Sequence, residues 1–259
     1  MRTLLSTILL TSAAFAQIPT VPPPLIRITC KPGSATVPTR PYADAKAPVE
    51  VVGLSASTGL PQTWMVELHE NFASVEDLDN ALSALSGGMA IDTPGQSGDD
   101  LLAPPRTLLA AFEHDWSYRP DDAIRMFPKA RYMSVTVHRL RVGLESDFEE
   151  LVRLRKLTND SVNLNRPELA YHVISGAPSG TYVILAPLTS LRALDEGVAD
   201  VPFFAAPTAD ARAKAAPKAA DLEISREHLL FRVEPRLSYV SEDFASGDQA
   251  FWRGKPAAR

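Results

Sequence analysis

Five histidines, His69, His114, His138, His172 and His228, fall on or beside segments that read as β-strands. Imidazole changes charge near neutral pH and ligates metals, so several on one sheet face would make a proton-transfer or binding site. Side chains alternate across a strand, and that alternation sorts the candidates. Around residue 135, Tyr132, Ser134, Thr136 and His138 share a polar face, with Met133, Val135 and Val137 on the apolar one. Near residue 230, His228, Arg232 and Glu234 oppose Leu229, Phe231 and Val233. Over 107–115 the polar face holds Glu113 and Asp115. If the apolar faces meet helices, the polar faces point into a shared lumen carrying Glu113, His138, His228, Arg232 and Glu234. Carboxylates beside imidazoles would do acid–base work or hold a metal. The plainer reading takes precedence: a paired polar layer at one end of the fold.

Other chemistry finds no pattern. There is no G-x-S-x-G elbow, no phosphate-cradling glycine loop and no dinucleotide fingerprint. His69-Glu70 opens like a zinc-protease helix, but Ala73 stands where the second histidine belongs. Trp64, Trp116, Tyr118, Tyr182 and Tyr239 read as core or cross-strand packing. No metal site is assigned, and the sequence names no cofactor.

The elements that must position these residues sit in a chain of 259 residues, 45% hydrophobic and 22% charged, as a globular protein requires. Lys plus Arg number 26 against 31 Asp plus Glu, a net charge of −5, so no basic excess exists to neutralise nucleic acid. A lone cysteine, Cys30, excludes an intramolecular disulfide framework and a cysteine-built metal site. Residues 1–16 read as a signal peptide, with Arg2, an apolar run over 4–14 and the small residues Ala14 and Ala16 at the cleavage site. That run is too short to span a bilayer, which takes about 20 residues. The expectation is an exported chain, periplasmic or extracellular, without a membrane span after cleavage.

An internal repeat organises the rest. Residues 63–66 (Thr63, Trp64, Met65, Val66) resemble 181–184 (Thr181, Tyr182, Val183, Ile184). Ser74, Leu78 and Asp79 match Ser190, Leu194 and Asp195. Leu54-Ser55 before a glycine turn matches Ile174-Ser175. Leu108, Leu109, Glu113, Trp116, Ser117 and Tyr118 match Leu229, Leu230, Glu234, Leu237, Ser238 and Tyr239. Four blocks in one order imply a tandem duplication. The second copy reads as a strand over 131–141, a helix over 145–158 with Phe148, Leu151, Leu154 and Leu157 on its apolar face, strands over 169–175 and 181–187, a helix capped by Ser190, an Ala/Lys/Pro-rich loop or loose helix over 205–220, and a strand over 228–233. In the first copy, strands fall at 25–29, 51–55, 63–69 and 106–116, with a helix over 74–85. Pro38, Pro41 and Pro48 argue against a helix over 34–48. The order is β-α-β-β-α-β, the ferredoxin-like arrangement. The expected divisions are a signal peptide (1–16), a Pro-rich entry segment (17–24), a degenerate first unit (25–128), a second unit (129–240) and a tail (241–259) anchored by Phe244, Phe251 and Trp252.

Two four-stranded sheets with open faces would pack together as a pseudo-dimeric α+β barrel in one chain. The string from Arg139 to Gly143, then Asp147 to Leu151, 175–182, 187–191 and Leu194-Asp195 resembles uncharacterised secreted bacterial proteins of the dimeric α+β-barrel superfamily. The resemblance implies the fold over roughly residues 25–255 and leaves the reaction open. Two functions follow as expectations. One is an exported protein, monomer or homodimer, binding a small molecule or a protein partner through the barrel. The alternative is a cofactor-independent or metal-assisted oxidoreductase, as in monooxygenase-like members of that superfamily.

Overall fold

A computed structural model describes residues 20–33, 49–70, 76, 105–161, 163–194 and 221–254. Eight antiparallel strands form their framework: β1 (Leu25–Pro32), β2 (Glu50–Ala56), β3 (Gln62–His69), β4 (Arg106–Phe112), β5 (Tyr132–Leu140), β6 (Leu169–Ser175), β7 (Thr181–Leu188) and β8 (Glu223–Val233). Helix α1 (Pro120–Met126) links β4 to β5, α2 (Glu145–Ser161) links β5 to β6, and α3 (Glu242–Ser246) and α4 (Gln249–Arg253) follow β8. Every expected strand is present. Of the expected helix over 74–85 only residue 76 is described, and of the one capped by Ser190 only residues 190–194; residue 76 and residues 192–194 are helical. The rest of each, the stretch over 205–220 and the proline-containing stretch over 34–48 lie outside the described residues.

The strands close into a barrel in the order β1-β3-β2-β8-β5-β7-β6-β4. Each half therefore contributes four adjacent strands, in the orders β4-β1-β3-β2 and β8-β5-β7-β6. The halves meet along two seams. At one, β2 pairs β8 through Leu54–Val233, Ser55–Arg232 and Ala56–Phe231. At the other, β4 pairs β6, with a register shift between Leu109 and Ala110.

Alternation decides which side chains fill the barrel. Ile26, Ile28, Val52, Leu54, Trp64, Val66, Leu108, Ala110, Met133, Val135, Leu169, Tyr171, Val183, Leu185, Phe231 and Val233 form one contiguous buried cluster. A cluster drawing on one face of all eight strands is the inward face. An eight-stranded barrel is just wide enough for side chains to fill it, so this volume goes to the apolar positions. The expected orientation is thereby reversed: Met133, Val135, Phe231 and Val233 point inward, and His138, His228 and Arg232 point outward. The 3-10 turn Phe127–Lys129 and helices α1 and α3 add Ile124, Phe127 and Phe244 to the same cluster at one end. The tail is pinned there as expected, with Phe244 fully buried and the Trp252 indole N–H donating to the Pro128 carbonyl at 2.6 Å. Arg131 stacks over Phe251 and pairs with Asp248.

Helix α2 covers the outer face of the second half. Phe148, Leu151 and Val152 pack on Leu140, Ala170, Tyr182 and Ile184. The expected stripe at three-residue steps is only half right. Phe148 and Leu151 are buried, but so are Val152, Arg155, Thr158 and Asn159, while Leu157 is 50% exposed. Three residues advance a helix by about 300°, so strict three-residue steps rotate off the face within three steps.

Two corners repeat the same construction. β4 does not run to residue 116 as expected. It stops at Phe112, and Glu113 caps a 3-10 turn, His114–Trp116, with φ −115° and ψ 95°. After β8, Glu234 caps the 3-10 turn Pro235–Leu237 with φ −115° and ψ 99°. The Glu113 N–H donates to the Ala170 carbonyl and the Glu234 N–H to the Gly53 carbonyl, each at 2.9 Å. Four residues on, the Ser117 hydroxyl donates to the Glu113 carbonyl and accepts from the Ala170 N–H; Ser238 does the same between Glu234 and Gly53. Tyr118 and Glu168, and likewise Tyr239 and Val51, then exchange a pair of backbone hydrogen bonds. Each corner thus extends one seam beyond its strands, and the repeated Glu, Ser and Tyr of the sequence are its parts.

The repeat match over β3 and β7 needs correcting by one residue. The match of Leu54-Ser55 with Ile174-Ser175 fails as well: the corners make Gly53 and Ala170 equivalent, so Leu54-Ser55 corresponds to Tyr171-His172. Leu54 faces Trp64 across β2–β3 and Tyr171 faces Val183 across β6–β7, so Trp64 corresponds to Val183 and not to Tyr182. A one-residue slip exchanges the faces of a strand. Trp64 lies inside, its ring 4.9 Å from Phe231, and Tyr182 lies outside.

Candidate functional site

The outward residues of the second half align across four strands. Arg226 on β8 is opposite His138 on β5, His138 is opposite Tyr182 on β7, and Tyr182 is opposite His172 on β6. Antiparallel partners on one face stand within contact distance, so register alone assembles a row of four chemically active side chains. A carboxylate stands at each end, Glu223 beside Arg226 and His138, and Glu113 beside His172.

The Glu223 end is closed. His138 is completely buried, its ring 5.2 Å from that of Phe148 on α2. Its Nδ1 lies 2.9 Å from Glu223 Oε1, and because a carboxylate only accepts, Nδ1 carries the proton. Burial holds the imidazole below its ordinary value of 6.5, so it is neutral at pH 7; Glu223 pulls the other way and loses. Burial raises the Glu223 carboxyl, but hydrogen bonds from His138 and from both Arg226 Nε and Nη2 outweigh it and hold the group below the usual carboxylate value. Two residues along, Thr136 Oγ1 lies 3.1 Å from His228 Nδ1, and Arg166 donates to the Ser134 hydroxyl at 3.2 Å. Burial and the neighbouring Arg226 hold His228 below its ordinary value too.

The Glu113 end is more open. Trp116 stacks on Tyr182 with ring centroids 4.2 Å apart and planes at 16°, and Tyr182 stacks on His172 at 4.7 Å and 20°. The column is braced from behind by Phe148, 5.0 Å from Trp116. His172 and Glu113 are half-buried. Burial lifts the Glu113 carboxyl above its ordinary value; His172 opposes the shift, and Asp115 and Glu149 reinforce it. Burial, then Glu145 and Glu113, push the Tyr182 phenol up to about 12. The residue as a whole is 5% exposed.

Of the expected lumen set, none faces the lumen. His138 and His228 do come together, on the outer face. Arg232 is exposed and approaches Glu234 at 3.6 Å, and Glu234 accepts from the Ser55 hydroxyl at 2.9 Å. Glu113 and Glu234 occupy equivalent corners as expected, on opposite seams. The residues missed were Glu223, Arg226, Trp116 and Tyr182. The first two lie on the polar opening of β8, which begins five residues earlier than the sequence suggested. Tyr182 was read as core because it was aligned with Trp64. Among the described residues no three His, Cys, Asp or Glu side chains converge as a metal site would need, and no helix is long and apolar enough to cross a membrane.

No family model and no curated protein matches the sequence. Solved structures do match. An anthrone oxidase-like protein is similar with a TM-score of 0.54 at 10% identity, over 81% of this chain and 91% of that one. A candidate monooxygenase from Fusobacterium nucleatum subsp. nucleatum aligns with a TM-score of 0.48 at 8% identity, over 82% and 93% of the two chains. Chlorite dismutase from Candidatus Nitrospira defluvii, in complex with imidazole, aligns with a TM-score of 0.46 at 9% identity, over 87% and 95%. These neighbours are dimeric α+β-barrel proteins, and at such identities the likeness is one of fold.

Proposed function

We propose that this chain is an exported protein, two ferredoxin-like βαββαβ units fused into one barrel, that binds a small molecule on the outer face of its second half. The site is the open end of the row, with Trp116, Tyr182 and His172 as an aromatic wall and Glu113 as the polar group. One observation carries the reading: Trp116, Tyr182 and His172 stack as a column, with ring centroids 4.2 and 4.7 Å apart, that ends beside a half-buried carboxylate held above its ordinary pKa. The lumen is not the site, since apolar side chains from all eight strands occupy it. Native mass spectrometry and thermal shift of the chain from residue 17 onward, against a panel of aromatic metabolites, test this. Binding that Tyr182→Phe and His172→Ala both weaken at least fivefold supports it; ligands that bind all three proteins equally sink it.

A second reading is favoured by Glu113 itself: a half-buried carboxylate that burial holds above its ordinary value is a stronger proton acceptor than a solvated one. As a cofactor-independent oxidoreductase, the protein would take a proton from an acidic C–H of a hydroxyaromatic substrate, and the resulting carbanion would reduce dioxygen. With anthrone, the substrate in the description of one neighbour, one dioxygen gives anthraquinone and one water. Oxygen uptake with anthrone, lost in Glu113→Gln while the fold is retained, is the expected result; uptake equal in wild type and Glu113→Gln rules the reading out.

A further inference from the structure

We infer that the outer face of β5 carries a second site, for the carboxylate or phosphate group of a small molecule, built by Arg166, Ser134 and Thr136; it is independent of the aromatic column. Alternation and register place its parts. Met133 and Val135 fill the barrel, so Ser134 and Thr136 share the outer face of the strand. On β8, Leu230 is opposite Ser134 and His228 opposite Thr136; on β7, Ala186 and Ile184 take the matching places. The flanking strands thus set no carboxylate directly opposite the two hydroxyls. Arg166 precedes β6 by three residues, and reaches β5 over the intervening β7, which presents only the Ala186 methyl there. Its Nη2 donates to the Ser134 hydroxyl at 3.2 Å.

Three other arginines on or beside this face are matched by carboxylates: Arg155 with Glu168 at 2.8 Å, Arg226 with Glu223 at 2.6 Å and Arg232 with Glu234 at 3.6 Å. Arg166 makes no ion pair among the described residues, and its Nε–H is buried without an acceptor. Nε and Nη2 share one edge of the guanidinium, the edge that grips a carboxylate or phosphate through two parallel hydrogen bonds. Ser134 sits on that edge. A hydroxyl that accepts from arginine keeps its own proton to donate. An oxyanion seated between the two, admitted by rotation of the half-buried Arg166 side chain, meets two N–H donors and one O–H. The orphaned Nε then gains its acceptor. Thr136 Oγ1 lies 3.1 Å from His228 Nδ1; when the imidazole donates, the threonine proton also turns to the ligand. The local field has the matching sign: after burial, Arg226, His138 and Arg166 hold His228 below its ordinary value, against Glu223.

Inorganic phosphate and acetate, titrated into the intact chain at constant chloride, test the site by calorimetry and by the His228 imidazole resonances. At least one of the two is expected to bind saturably: phosphate the tighter for a phosphate ligand, acetate the tighter for a carboxylate. Arg166→Gln should weaken that binding about tenfold and Ser134→Ala about threefold. Arg166→Lys keeps the charge and loses the paired edge, so a weakening of about threefold is expected; it stands in if Arg166→Gln lowers the urea midpoint. Arg232→Gln removes an exposed charge from the same face and should leave the affinity within about twofold. Three results overturn the inference: neither anion shifts His228, Arg166→Gln and Arg166→Lys leave the affinity unchanged, or Arg232→Gln weakens binding as much as Arg166→Gln, the mark of a diffuse field.

Discussion

The corner at Glu113 and the corner at Glu234 share a backbone and differ in what their carboxylates meet. Both hold a glutamate with φ −115°, a serine four residues later that bonds the glutamate carbonyl, and a tyrosine paired to the neighbouring strand. At Glu234 the carboxylate accepts from Ser55 and faces Arg232, and Leu237 sits so close to Gly53 that a Cβ there would collide with it. At Glu113 the position of Ser55 is taken by His172, that of Gly53 by Ala170, and that of Leu237 by Trp116. One corner has its polar groups satisfied and is tightly packed. The other has a carboxylate lifted above its ordinary pKa beside an aromatic column. Closing the barrel requires the backbone pattern alone, and the side chains around it are free to differ between the two seams.

Four expectations follow, three of them on the two corners and one on the buried row between them. The largest effect is expected from Gly53→Val, which drives a branched side chain into Leu237: about 3 kcal/mol by the usual cost of overpacking, read as a lowered urea midpoint. Ala170→Val, at the matching place beside the larger Trp116, is expected to cost less; an equal loss would mean that the corners are packed alike. Next, Ser117→Ala and Ser238→Ala each orphan one backbone N–H, of Ala170 and of Gly53. Each should cost about 1–3 kcal/mol, and the two losses should match if the corners do the same work on the seams.

The third expectation concerns pH. His138 has a folded pKa below 6.5, so under acid conditions the unfolded chain takes up a proton that the folded chain refuses. Stability is therefore highest above pH 6.5 and falls as pH drops from 6.5 toward the lower folded value. His138→Gln should flatten that part of the urea-midpoint profile. The smallest effect separates the glutamates. Glu234→Gln weakens a charge-assisted hydrogen bond from Ser55 and should cost about 1 kcal/mol. Glu113→Gln relieves a carboxylate that burial disfavours and should shift stability by no more than about 0.5 kcal/mol in either direction. A loss at Glu113 as large as that at Glu234 would show that both carboxylates are structural.

Much of this architecture was legible in the sequence, and the failures have physical causes. Alternation in Met133, Val135 and Val137 located β5 and separated its faces. Nothing in alternation says which face is enclosed, and the enclosed one here is the apolar face because an eight-stranded barrel has no room for solvated charge. The Glu, Ser and Tyr spacing was visible as a repeat, though its meaning as a strand-end clasp was not. It was read as a continuing strand, since a 3-10 turn of three residues leaves no periodic signal. Tyr182 is packed as its residue type suggested, but pairing it with Trp64 hid that the two rings lie on opposite sides of the sheet, because ring similarity outweighed register. Glu223 and Arg226 escaped notice because charged residues at a strand's opening look like loop.

The two seams are short: three residue pairs join β2 to β8 and four join β4 to β6, whereas β5 and β8 share nine. In a barrel assembled from two identical chains, a substitution at a seam would appear at both seams at once, and each change would have to suit two places. Here every seam residue is written once. A mutation that trades a hydroxyl for an imidazole beside one carboxylate leaves the other seam as it was. The chain can thus alter one junction while the second, unchanged, still ties the halves together.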